Sequence, residues 1–136
     1  MAFDPTVDYP LGSRRPDLVE TRSAIALEEV TLEAVRSGRV VAADLRATPA
    51  TLRRQAEVAR AAGRRQLADN LDRAAELAGV PDDQLLEIYT ALRPKRSTFA
   101  ELEEWAMRLD GWGAPLTAGF VREAAAAYLE RGLVGD

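Results

Sequence analysis

The chain of 136 residues contains no cysteine and no histidine. Without cysteine there is no disulfide framework, no thiolate metal site and no thiol nucleophile. Without histidine it lacks the usual general acid or base near neutral pH and the commonest transition-metal ligand. Aromatic residues make up only 6%, so the core has to be assembled from Leu, Val, Ile and abundant Ala. Alanine faces let helices approach closely but bury little surface each, which points to a protein stabilised in part by partners. Long apolar runs are missing too. The longest uncharged run, Gly111 to Val121, is interrupted by three glycines and a proline and falls well short of the roughly 20 apolar residues of a membrane span. Met1 to Pro10 carries no signal-peptide pattern. A soluble, cytoplasmic protein with no membrane partner is expected.

What the chain does contain is a succession of helix signals. Residues 1–22 hold Pro5, Pro10 and Pro16 and no apolar periodicity, and are expected to form an extended N-terminal arm. Residues 23–136 are expected to form the helical domain. Leu27, Val30, Thr31 and Ala34 share a helical face that Gly38 ends. Thr48-Pro49 pairs an N-cap with a proline at the first helical position and opens a helix with Leu52, Ala56 and Ala59 on one side, stopping near Gly63. Leu67, Leu71, Ala74 and Ala78 line the next, which stops at Gly79. Pro81-Asp82-Asp83 begins a fourth, with carboxylates at the positive end of its dipole and Leu85, Ile88, Tyr89 and Leu92 as its apolar stripe. Thr98 and Glu101 form a capping box ahead of Leu102, Trp105, Ala106 and Leu109, with a stop at Asp110-Gly111. Pro115 opens the last helix, for which Leu116, Phe120, Ala124 and Tyr128 are predicted to face inward. The fold class is all-α: about six short helices in a compact bundle behind the arm.

No catalytic, cofactor-binding or metal constellation emerges. Gly-rich phosphate loops are absent. The acidic pairs Glu28-Glu29, Asp82-Asp83 and Glu103-Glu104 point about 100° apart on a helix and cannot converge on one substrate. Net charge is −4, which argues against nucleic acid as a partner. Arg46 to Arg73 does hold seven arginines against Glu57, Asp69 and Asp72. It reads first as a solvated face laced by pairs such as Arg53–Glu57 and Arg65–Asp69, ahead of an acidic protein partner. Nucleic acid ranks last, since no aromatics interleave for base stacking. Arg93, Lys95 and Arg96 surround a proline-stiffened helix end. They either complement the dipole of that end or make a docking loop. Trp112, between two glycines, folds back on the core or anchors an interface.

Residue order says more. The runs ADLRATPATL (43–52), AGR (62–64), RAAEL (73–77) and VPDDQLLEIYTALRPKRST (80–98) closely resemble the small subunit of the B12-dependent diol and glycerol dehydratases. So do DYPL (8–11) and FVREAA (120–125). The likeness runs from about Asp8 to Tyr128. It implies a lyase assembled from large, medium and small subunits, two copies of each, in which adenosylcobalamin is held by the other subunits. A radical 1,2-shift there turns a vicinal diol or glycerol into an aldehyde and water. It assigns the small subunit no catalytic residue. The chain begins almost at DYPL, without the N-terminal extension of the propanediol-type subunits, which looks more like the glycerol type. Microcompartment association would then come through other subunits. Gly111-Trp112-Gly113 departs from the family pattern. Residues 8–18, with Tyr9, Leu11 and Leu18, together with Tyr89, Arg93, Lys95 and Arg96, are the expected docking groups. A free-standing helical adaptor of the same ancestry is the competing reading.

Overall fold

The computed structural model of the chain describes residues 2–136. It is all-α, as the periodicity predicts. The helices in chain order are α1 (Leu11–Arg14), α2 (Leu32–Arg36), α3 (Pro49–Ala61), α4 (Arg65–Leu77), α5 (Asp82–Ala91), α6 (Phe99–Gly111) and α7 (Pro115–Glu130). Short 3₁₀ turns cover Pro16–Leu18, Leu27–Glu29 and Ala42–Leu45. Among the described residues there is no strand, only an isolated antiparallel bridge between Glu20 and Ala26. None of these helices is long and apolar enough to cross a membrane. The chain divides into two compact units, one ending at Ala75 and the other Glu76–Asp136.

In the first unit, the segment expected to run extended to residue 22 instead holds α1 and the turn Pro16–Leu18. Its prolines start these turns rather than prevent them. Pro10 precedes α1 and Pro16 takes the first position of the 3₁₀ turn, where a missing N–H costs nothing. Arg15 bridges Asp8 at 3.0 Å and Asp17 at 2.9 Å. The Asp17 carboxylate, and after it Asp8, raise the guanidinium above its usual range, and Arg15 in turn lowers Asp17. Arg54 on α3 donates to the Leu18 carbonyl at 2.6 Å. Thr48 caps α3 through the Thr51 amide at 3.2 Å, as its sequence signal predicts. Ala56 and Ala59 of α3 and Ala68 of α4 form a small core with Leu71 beside it. Leu67, predicted inward, is 44% exposed. The buried face of α4 runs one position later, where alanine permits the closest approach.

Asp44 is the buried charge of this unit. It accepts from the Ser23 hydroxyl and from the Val41 amide, the latter at 3.0 Å. Those donors hold its carboxyl below the usual range, Ser23 contributing most. A pKa lowered in the folded state means the unfolded chain binds its proton first on acidification. The stabilisation is therefore complete above the ordinary Asp value of about 3.9 and is lost as pH falls through the lowered value. An Asp44→Asn variant should be less stable at pH 7 and lose less further stability on acidification, measured by urea denaturation from pH 7 to pH 3. Parallel pH profiles for the two proteins would contradict this role.

The second unit has the larger core. Leu102, Ala106 and Leu109 of α6 pack with Ala114, Ala118, Val121 and Ala125, and Ile88 and Val80 close the cluster. The Thr98–Glu101 capping box forms, with the Thr98 amide donating to Glu101 at 2.8 Å and the Glu101 amide to the Thr98 hydroxyl at 3.2 Å. Helix α6 ends at Gly111, at the expected Asp110-Gly111 stop, with Trp112 as its C-cap. The left-handed residue is Gly113, at φ +74°. Helix α7 is capped from a distance. The Glu76 carboxylate accepts from the Leu116 and Thr117 amides at 2.9 and 2.8 Å, and from the Thr117 hydroxyl at 2.8 Å. An anionic acceptor there satisfies orphan amides and complements the helix dipole together. The predicted inward stripe of α7 holds at Tyr128, which packs against the core, but toward the start of the helix the buried face runs one position later. Leu116 and Phe120 are 56% and 45% exposed, while Thr117, Ala118, Val121 and Ala125 are buried.

Candidate docking surface

Two groups of residues were expected to hold a partner, and the structure treats them differently. In residues 8–18, Leu11 is buried at 7% exposure, Leu18 is half-buried with its carbonyl held by Arg54, and Tyr9 stands out at 59%. Tyr9 is thus the most exposed of the three in the free chain.

The second group lies at the end of α5, on the other unit. Tyr89 is 65% exposed, and Leu86, one turn earlier on the same helix, is 69% exposed. Arg93, Lys95 and Arg96 follow on an exposed turn. Complementing the helix end would bring these cations onto its carbonyls. Instead, the Tyr128 hydroxyl occupies the Leu92 carbonyl at 2.6 Å. Among the described residues, the side chains of Arg93, Lys95 and Arg96 make no hydrogen bond and no ion pair within the chain. Three cations on one turn without a carboxylate among them repel one another mildly in the free chain. They present donors suited to carboxylates, arginine in bidentate fashion.

The turn is nonetheless well held. Lys95 has φ +65°, a left-handed conformation that costs a residue with a Cβ about 1 kcal/mol or more. Its amide donates to the Leu133 carbonyl at 2.7 Å, and the Gly135 amide donates to the Ser97 carbonyl at 2.7 Å. Ser97 itself is buried. Nothing in the sequence signalled this pairing, because the partners lie some forty residues apart and neither is apolar in a periodic run.

Beside the turn, Leu86, Thr90, Arg96, Glu104, Trp105 and Arg108 line an open groove between α5 and α6. Arg108 lies over the Trp105 ring, 4.7 Å from its centroid, a cation–π contact worth about 0.5–1 kcal/mol at an exposed site. The groove carries both signs of charge, whereas the turn carries one. Trp112 caps the end of α6 and is 36% exposed, so its ring is neither enclosed nor free. The donor set offers no imidazole and no thiolate. Among the described residues no three His, Cys, Asp or Glu side chains are grouped to hold a metal ion.

The family described as dehydratase small subunit matches residues 5–134. A propanediol dehydratase small subunit of Citrobacter freundii is 54% identical over 125 residues, 91% of this chain and 73% of that protein. One from Salmonella typhimurium is 53% identical over 125 residues, 91% and 72% of the two chains. Matches of that extent and identity settle kinship: the chain belongs to the dehydratase small-subunit family.

Proposed function

We infer that this chain is the small, non-catalytic subunit of an adenosylcobalamin-dependent diol or glycerol dehydratase. The observation that carries the reading is identity above one half with two propanediol dehydratase small subunits across 91% of the chain. Large and medium subunits are its partners, two copies of each of the three types. The vicinal diol is converted on them to an aldehyde and water by radical rearrangement. Propanediol, named in both relatives, leads glycerol as substrate, and we take it to be the vicinal propane-1,2-diol. The residues of this chain do not fit the cofactor. There is no histidine to offer cobalt a nitrogen, and the groove on α5 and α6 is open and lined by charges of both signs. Adenosylcobalamin accordingly belongs to the other subunits, and this chain contributes contact, through Tyr89, Arg93, Lys95 and Arg96. The complex works in the cytoplasm, with any microcompartment association carried by other subunits.

Co-expression with the large and medium subunits of a diol dehydratase tests the reading. The three chains should co-purify, and the complex should form an aldehyde from propane-1,2-diol when adenosylcobalamin is added. Omitting this chain should abolish assembly or activity. The chain alone should show no cobalamin binding at micromolar concentration by spectroscopy or calorimetry. Full activity without it would favour a free-standing helical adaptor, and micromolar cobalamin binding by it alone would overturn the assignment of the cofactor to its partners.

A further inference from the structure

We propose that residues 93–97 and 133–135 form a single preformed surface that takes a carboxylate-bearing segment of a larger subunit, with Gly135 setting the backbone of its cationic turn. This deepens the small-subunit reading and rests on it.

The chemistry of the partner follows from charge. The side chains of Arg93, Lys95 and Arg96 make no ion pair or hydrogen bond within the chain among the described residues, and the Leu92 carbonyl at the helix end is taken by Tyr128. The neighbouring groove is a poorer site for an acidic segment, because Glu87, Glu101 and Glu104 line it beside Arg96 and Arg108. The acidic segment therefore lies over the turn, not along the groove.

The backbone of the turn is fixed from behind. Helix α7 ends at Glu130, and Gly132, at φ +64°, reverses the chain so that the Leu133 amide reaches the Tyr128 carbonyl at 2.7 Å. The returning segment then pairs twice with the turn, Lys95 to Leu133 and Gly135 to Ser97, both at 2.7 Å. The approach is close enough to favour glycine. A Cβ on Gly135 would sit 3.2 Å from the Ser97 carbonyl carbon, 3.3 Å from that of Arg96 and 3.3 Å from the Lys95 oxygen. All three neighbours are backbone, so a side chain at 135 has to push the turn itself. Held this way, three long cationic side chains project from a backbone that needs no ordering on binding, which favours association. Gly135 is a positioning residue, acting through the turn and touching no substrate.

The test uses Gly135→Val in the full chain and, as a second variant, removal of residues 133–136. Both changes lie outside the two core clusters, so circular dichroism should stay near wild type and unfolding should remain cooperative, with the melting temperature lowered by the loss of the segment's own contacts. Hydrogen exchange of the Lys95 amide in the free chain should speed up at least tenfold in both. Affinity for the co-expressed large and medium subunits, titrated at several salt concentrations, should fall at least tenfold at low salt. The salt dependence should flatten, as expected when paired surface charges are lost. Wild-type affinity and salt dependence in both variants would overturn the proposal while leaving the small-subunit reading intact. Failure of the wild-type chain itself to bind those subunits would overturn both.

Discussion

Truncating Leu102 to alanine is expected to cost about 3 kcal/mol of stability, whereas truncating the larger Phe120 should cost less than about 1 kcal/mol. Leu102 is fully buried at the centre of the second unit's core, among Ala106, Leu109, Ala118 and Val121. Its neighbours are largely alanines on helices that cannot close the gap without moving their backbones, so both the lost transfer energy and the cavity are felt. Phe120 is 45% exposed, so its truncation gives up only part of a side chain's burial and leaves no enclosed cavity. Urea denaturation of both variants at pH 7 checks the contrast. An equal loss for the two would mean that α7 turns its Leu116–Phe120 face inward, as its sequence alone suggests. Domains of this size hold only about 5–15 kcal/mol in total, so the Leu102 variant should also be poorly recovered unless its partners are present to stabilise it by mass action.

The one-position shift of the buried face at the start of α7 has a specific cause. Its sequence, PLTAGFVREAAAAYLE, is apolar on nearly every side. Two stripes offset by about 100° are then almost equally good, and large side chains bias the choice toward Leu116 and Phe120. The neighbours decide otherwise. Tight contact with α6 is made by Ala118, Val121 and Ala125, small enough to let two backbones approach. The same logic shifted α4 from Leu67 to Ala68. Where the signal was chemical rather than volumetric, sequence and structure agree. Thr48-Pro49 and the Thr98–Glu101 box start helices where expected, because each satisfies orphan amides within four residues of itself. Satisfaction over longer range was invisible. Glu76 reads as one more helical glutamate, yet its carboxylate caps α7 forty residues later. At the candidate docking surface the cations are legible from composition and position. Their freedom from internal partners and the strap from Leu133 to Gly135 were not, since both depend on where Tyr128 and the segment after α7 come to lie.

Reversing two charges on the turn should have the largest effect on assembly. An Arg93→Glu/Arg96→Glu variant should fold with a wild-type melting temperature, within about 0.5 kcal/mol, because both side chains are exposed and neither makes an ion pair or hydrogen bond within the chain. In the complex each reversal replaces attraction by like-charge repulsion against a carboxylate. Losing one desolvated charge pair typically costs about 2–5 kcal/mol, so two reversals should weaken binding by at least a thousandfold. On size exclusion the variant should then elute apart from the large subunit, and diol dehydration should fall with the fraction assembled. A companion variant, Tyr9→Ala, discriminates between the two units. Tyr9 is exposed on the first unit and lies far in sequence from the turn. If Tyr9→Ala separates the subunits while the double Glu variant stays assembled and active, the partner is held by the first unit and the cationic turn faces water.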